Sequence, residues 1–196
     1  YIQNSDGEWD ETPGIWGPLL QNLIPAGETF KVGKGYTEEL TVTNSGTIDE
    51  YVRVNIYRYW KKADGSKEQT LSPELINLNY INQGTYWIYD ADSSTEEKAV
   101  FYYNRILGAG ETTVPLTDLL WIDNSIAKTV TQSVSEEVHN GETVTVIRNS
   151  YTYNGISFYL EAECDAVQTH NPVHAIKSAW GVDVSVAGDG SLTLLK

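Results

Sequence analysis

Apolar and polar residues alternate along much of this chain, which is the pattern of half-buried β-strands. From Val52 to Ile56 every second residue is Val or Ile, so 51–57 is a predicted strand. The segments 39–43 and 98–104 are predicted strands as well. Many short strands with little helix indicate an all-β fold, which we expect to be a jelly-roll-like antiparallel sandwich.

Turn residues divide the predicted strands. The pairs Asn140-Gly141 and Asn154-Gly155 both readily adopt positive φ, so each predicts a hairpin. One short helix is expected near 172–180, because Asn171 suits its cap, Pro172 its first position and Gly181 its end. Its apolar residues recur at spacings of three and four, on one face.

The chain divides into three parts by these patterns. Residues 1–21 predict an N-terminal arm or loop, with a possible role as a donor segment. Residues 22–181 predict the sandwich, with an added hairpin at about 128–154. Residues 182–196 predict an extended tail, because Val182, Val184 and Val186 alternate with other residues.

The net charge of the chain narrows the classes of partner that we expect. The chain has 27 acidic and 13 basic residues, a net charge of −14. Nucleic acid and anionic membranes prefer a basic face, so neither is expected as a partner. The apolar runs fall short of the roughly 18 residues that a membrane span needs, so no direct membrane insertion is expected. The chain has no Met, which predicts a processed, exported product, and its one cysteine excludes an internal disulfide.

Two groups of residues suggest a metal. Asp90, Asp92 and Glu96 place oxygen ligands in one loop, as calcium sites do, but a solvated acidic loop explains them as well. His170 and His174 are four residues apart, although surface histidines without a metal are the favoured interpretation. Calcium is therefore the only cofactor considered.

A row of acids alternates with small residues in 160–166. Glu161, Glu163 and Asp165 share one face of a strand, which favours a wet sheet face over a glycosidase pair. Cys164 falls on the opposite face and is expected to be an inert core thiol. No catalytic motif is present, so we expect no enzyme activity.

Aromatic residues are concentrated on two strands. Tyr51, Tyr57 and Tyr59 share the face opposite the valines, and Trp87 belongs to a second aromatic strand. If exposed, these residues suit a sugar or a protein partner. The alternative is a sandwich strand that is covered on both faces.

An ordered set of segments resembles the TasA/camelysin-like family, exported surface and biofilm-matrix proteins of Gram-positive bacteria that depend on a SipW-type signal peptidase. The set runs from 22–28 (NLIPAGE) through 40–47 (LTVTNSGT) and 101–104 (FYYN) to 161–168 (EAECDAVQ) and 179–181 (AWG). The resemblance implies a jelly roll, secretion and assembly into fibres.

In such fibres a strand of one subunit completes the sheet of the next. This chain is therefore expected to be a secreted, extracellular structural protein whose partners are copies of itself in a pilus-like filament, with an accessory or anchor protein. The alternative is a carbohydrate-binding or adhesive surface module. The expected subunit-contact residues lie in the two terminal segments: Tyr1, Ile2, Trp9, Ile15, Trp16, Val182, Val184 and Val186.

Overall fold

The structure is a computed structural model that describes residues 2–3, 9–10, 20, 23–24, 28–128, 130–139, 142–151 and 153–195. In these residues it is mostly antiparallel β-sheet, so the predicted all-β sandwich is confirmed; its jelly-roll connectivity stays a prediction. The strands are β1 (Ile2–Gln3), β2 (Trp9–Asp10), β3 (Tyr36–Thr37), β4 (Glu50–Lys61), β5 (Lys67–Glu68), β6 (Ile76–Tyr80), β7 (Trp87–Tyr89), β8 (Lys98–Tyr103), β9 (Thr117–Ile122), β10 (Val130–His139), β11 (Glu142–Tyr151), β12 (Ser157–Gln168), β13 (Val184–Val186) and β14 (Leu192–Leu194). The helix α1 spans Pro172–Trp180, and 3-10 turns span Pro73–Leu75 and Asn124–Lys128.

Strand β4 is the centre of the first sheet, whose order is β12-β4-β8-β7. All 12 residues of β4 pair with β12, from Glu50 opposite Gln168 to Lys61 opposite Ser157, without a register shift. On its other side β4 pairs with β8 over 53–57 and with β5 at its end. Its Val, Ile and Tyr residues favour such a pleated, buried strand.

The second sheet has the order β3-β9-β6. Next to it, residues 40–44 run beside 112–116, where the N–H of Leu116 donates to the carbonyl of Leu40 (2.8 Å). The two sheets enclose the main core, to which β4 contributes Val52, Val54 and Ile56, each at most 2% exposed. Burying such side chains stabilises the fold by about 1.5–3 kcal/mol each.

The opposite face of β4 and β8 carries a second core. Here α1 and the hairpin β13–β14 pack on Tyr51, Val100 and Tyr102. The hydroxyl of Tyr51 donates to the carbonyl of Gly190 (2.9 Å), which ties the hairpin to the central strand. The part of this face around Tyr51 and Tyr102 is therefore covered from within the same chain.

Residues 182–196, predicted as an extended tail, contain the strands β13 and β14, which pair with each other. Val184 is buried in the second core, and Val182 and Val186 pack against it. The alternation of these valines indicated a strand correctly. It carried no information on the partner, which is β14 of the same chain. These valines are therefore occupied within the chain and are not free to contact another subunit.

The helix α1 matches the predicted range and ends at Gly181, whose φ of 75° and N–H bond to the carbonyl of Lys177 are typical of a helix end. Its start differs from the prediction, because Asn171 adopts a left-handed conformation and its side chain makes no capping bond. Ile176 and Trp180 form the buried face of α1.

Only one of the two Asn-Gly pairs joins paired strands. β10 and β11 pair from Val130 opposite Tyr151 to His139 opposite Glu142, as the first pair predicts, and they form a separate two-stranded sheet. The second predicted hairpin is absent from the described residues. There Gly155 lies in a turn with φ of 75°, but β11 and β12 belong to different sheets.

The N-terminal arm is only partly described. β1 and β2 pair with each other. The predicted contact residues Tyr1, Ile15 and Trp16 lie outside the described residues, as do the side chains of Ile2 and Trp9.

A buried hydroxyl gives the first prediction. The Oη of Tyr80 has no hydrogen-bond partner in the described part of the chain, and burial raises the pKa of Tyr80 to about 12. Tyr80→Phe removes this hydroxyl and keeps the ring against Phe101, 4.7 Å between centroids. We expect Tyr80→Phe to be neutral or to raise the free energy of unfolding in urea by about 1 kcal/mol.

The matched control is Tyr51→Phe, because that hydroxyl has a partner. Its loss leaves the carbonyl of Gly190 without the bond from Tyr51, so we expect unfolding to become easier by about 1–2 kcal/mol. Equal losses of stability in the two variants would contradict this account.

Candidate functional site

The most distinctive surface of the molecule is the free side of β12, here called the β12 edge. Among the described strands β12 pairs only with β4, so its other side meets no strand of the described chain. In an antiparallel sheet, every second residue of an edge strand directs its N–H and C=O away from the sheet. A strand of 12 residues therefore offers a long row of groups that can bind another strand.

The side of β12 that faces the main core is only half covered. Register places Ala162, Cys164 and Ala166 opposite Ile56, Val54 and Val52 on that side. Ala162 is half-buried, whereas Cys164 and Ala166 are exposed. These three small residues are called the inner positions below. They form an uncovered gap beside a closed core.

The sequence prediction for Cys164 is correct for the side of the strand and wrong for burial, because the residue is exposed. The thiol is exposed to solvent on one side, and the protein packed on its other side desolvates it in part. Desolvation, with the charges of Asp165 and Glu50, raises the pKa of Cys164 to about 12. The thiol is therefore protonated at neutral pH, and a protonated thiol is a poor nucleophile.

The acids on the outer side of β12 are bonded back to β4. Arg53 donates to Asp165 (2.6 Å), and Tyr59 donates to Glu161. Desolvation, with a hydrogen bond to Glu163, raises the pKa of Tyr57. The predicted wet face therefore carries ordered cross-strand pairs rather than free carboxylates.

Two of the four aromatic residues are covered, as the alternative of a strand covered on both faces predicts, so they form no open platform. Tyr51 is 1% exposed in the second core, and Trp87 is 0% exposed in the main core. Only Tyr57 and Tyr59 remain half-buried on the outer face. Sequence reasoning missed Tyr159, which lies opposite Tyr59 and stacks on it, 5.4 Å between centroids. Pairing of the two strands would have revealed it, but the pairing is not a local signal.

The ring of Tyr59 is enclosed on this face. The ammonium of Lys61 lies 5.3 Å from its centroid, and that of Lys67 lies 5.9 Å away. Desolvation, followed by the hydrogen bond to Glu161, raises the pKa of Tyr59 to about 12. Tyr159 and two lysines thus contact this ring, which reduces the surface that is free for stacking a sugar.

The acidic loop does not gather the predicted calcium ligands. Asp90 is buried, and its Oδ1 accepts from the backbone N–H of Asp92 (3.1 Å) and of Ser93 (3.3 Å), which is an Asx-type turn. Asp92 and Glu96 are exposed. His170 and His174 are exposed too. In the described ranges no group of three or more His, Cys, Asp or Glu side chains could hold a metal ion.

No helix within the described residues is long and apolar enough to cross a membrane. No protein-family model, curated protein or solved structure matches this chain.

The raised pKa of Cys164 gives a prediction for its chemistry. At about pH 8, native protein should react with iodoacetamide at least about a hundredfold more slowly than urea-unfolded protein, because the reagent attacks the thiolate and an unconstrained thiol has a pKa near 8.5. The native rate should still rise above about pH 10. Mass spectrometry of the alkylated chain measures both rates at a single site, since the chain has one cysteine.

A matched control places the thiol elsewhere. Ser178→Cys in a Cys164→Ala chain is exposed on α1 and should react rapidly in the native state. Similar native rates for the two sites would show that the protein around Cys164 does not suppress its thiolate.

Proposed function

We propose that this chain is a non-enzymatic structural subunit of an extracellular fibre, secreted to the cell surface or the biofilm matrix. A strand of one copy adds to the β12 edge of the next copy and so builds a homopolymeric, pilus-like filament. The observation that carries the proposal is the β12 edge itself, with its row of available backbone groups and uncovered inner positions. The resemblance to TasA/camelysin-like proteins, with their jelly roll, points the same way.

Natural sheets usually protect their edges with Pro, Lys, bulges or very short strands. β12 has 12 residues, contains neither Pro nor Lys, and pairs with β4 without a register shift. Its acids could repel an incoming strand, but Arg53 and Tyr59 hold two of them towards β4. The edge is therefore regular and open, as strand addition requires.

The inner positions define which strand fits. Their side chains are small, so an added strand with bulky apolar residues at alternate positions would fill the gap beside the main core. Burying apolar surface there gains about 25 cal/mol per Å². The incoming strand would thus form main-chain hydrogen bonds and extend the core at once.

Pairing of β12 with β12 of a second copy is disfavoured. A two-fold axis through such a pair sets the same face of each strand together. It would bring Glu161, Glu163 and Asp165 towards the same acids of the other copy, and like charges directly opposite destabilise a sheet. It would also set small inner residues against small ones and leave the gap unfilled. The added strand is therefore a different segment, which makes the contact head-to-tail.

The donor is expected in the N-terminal arm. The C-terminal segment is a poorer candidate, because β13 and β14 already pair with each other and pack on the second core. Residues 1–20, which include Ile15 and Trp16, are the other segment that the sequence nominates. An accessory or anchor protein would attach the first subunit to the cell surface.

Deletion of residues 1–20 tests the donor. We expect the full chain to form filaments in electron micrographs under at least one condition of pH and divalent cation. The shortened chain should stay monomeric, with the circular dichroism spectrum of a folded β protein. If the full chain forms no filament under any condition, the fibre proposal fails. Filaments from the shortened chain would move the donor to another segment.

A charged residue at an inner position tests whether the β12 edge receives the added strand. Cys164 is exposed in the monomer, so the longer side chain of Cys164→Glu can reach water there and the variant should fold, which its circular dichroism spectrum checks. An added strand would bury that carboxylate, so we expect Cys164→Glu to form no filaments. Cys164→Ala should assemble normally, and so should Ser178→Glu, which adds the same charge on the exposed surface of α1. Normal assembly of Cys164→Glu would exclude the β12 edge as the acceptor.

A further inference from the structure

Two tyrosines on neighbouring strands lie in contact on the outer face of the first sheet. Tyr59 of β4 and Tyr159 of β12 are directly opposite each other, and their rings are nearly parallel, with an interplanar angle of 6° and 5.4 Å between centroids. No other pair of tyrosine rings in the described residues is in stacking contact. Tyr159 is 38% exposed, so a small oxidant in solution reaches this pair.

We infer that Tyr59 and Tyr159 form a modification site at which a peroxidase-type one-electron oxidant joins the two rings as dityrosine. The bond would tie the edge strand β12 covalently to the central strand β4. The inference does not depend on the fibre proposal, because both rings belong to one chain.

The composition of the chain leaves aromatic rings as the main targets of an oxidant. The chain has 13 Tyr, no Met and one Cys. Methionine and thiolate sulfur are the side chains that oxidants usually consume first. Here the single thiol is protonated at neutral pH, since desolvation raises the pKa of Cys164 to about 12. Little sulfur is therefore left to intercept an oxidant before it reaches an aromatic ring.

The residues around the two tyrosines favour the first step of the reaction, which is oxidation of a phenol to a phenoxyl radical. Oxidation of a phenol at neutral pH removes an electron and a proton, and the hydroxyl of Tyr59 already donates its hydrogen bond to the carboxylate of Glu161. That carboxylate is exposed and in position to accept the proton. Lys61 lies over Tyr159, 4.3 Å from its centroid, and limits the rotation of that ring.

The reaction balances with hydrogen peroxide as the terminal oxidant. Each phenol loses one electron and one proton and becomes a phenoxyl radical with spin density at its ortho carbons. A carbon–carbon bond forms between one ortho carbon of each ring, and the two ortho hydrogens then move to the phenolic oxygens. The two electrons and two protons removed from the rings reduce one hydrogen peroxide to two water molecules.

The product would matter mechanically. β12 is held to the rest of the molecule chiefly by its ladder with β4, and it is the strand that bears the free edge. A covalent link between these two strands would stop β12 from peeling away when the edge is pulled. It would also restrict the unfolded chain, because it closes the long loop between the two strands.

The test treats dilute, folded, full-length protein with a haem peroxidase and limiting hydrogen peroxide. We expect dityrosine fluorescence in the monomer fraction, a mass lower by two hydrogen atoms, and a cross-linked peptide pair that contains Tyr59 and Tyr159. Tyr59→Phe and Tyr159→Phe should each reduce the signal to background. The cross-linked wild type should also unfold at higher urea concentration than untreated protein.

The matched control is Tyr89→Phe. Tyr89 is more exposed than Tyr159, at 46%, but its ring packs on Phe101 rather than on a tyrosine. This variant should keep the full signal. Should dityrosine persist in Tyr159→Phe, appear only in dimers, or fail to form in the wild type, the assignment is overturned. Because Tyr159 is exposed, Tyr159→Phe is expected to fold, and its circular dichroism spectrum checks this.

Discussion

Strand β4 has to bury both of its faces, and the rest of the fold follows from that requirement. Val52 and Val54 on one face need the second sheet, whereas Tyr51 on the other face needs α1 and the C-terminal hairpin. A half-buried residue, Arg58, links the layers further, because its guanidinium donates to the carbonyls of Ile76 (2.9 Å) and Glu96 (3.0 Å). Two cores thus share one backbone, and a shift of β4 by one residue would exchange their side chains.

β12 pairs in register with β4 along its whole length, but only one end of β12 is covered by the main core. Phe158 and Leu160, at one end, pack into the main core, whereas the inner positions at the other end are open. The continuous ladder with β4 keeps that end extended all the same. Exposed Ala and Cys side chains cost far less than exposed Leu or Phe would, since the cost scales with apolar area. The free molecule therefore tolerates a preformed gap, and the proposed partner strand would meet an edge that needs no rearrangement.

Local patterns predicted the elements better than their partners. Alternation from Val52 to Ile56 identified β4, and Pro172 with Gly181 bounded α1 within the range observed. The burial of Tyr51 was beyond such reasoning, because its hydrogen-bond partner Gly190 lies 139 residues away. An aromatic residue in a strand alternates in the same way whether its face is open or covered. The same limit applies to Cys164. Alternation along the strand shows which face its side chain lies on, but whether that face is covered depends on residues far away in the sequence.

The charge of the chain limits how copies can approach each other. With a net charge of −14, two copies repel at distances beyond contact, although salt screens this over about 8 Å. Several cations are paired locally, such as Lys67 with Glu97 and Lys177 with Asp183, so they add little attraction for a partner. Backbone hydrogen bonds and apolar packing act only at contact and do not depend on net charge. An edge that recognises a strand through these two interactions is therefore compatible with a strongly acidic surface, which at the same time disfavours unspecific association.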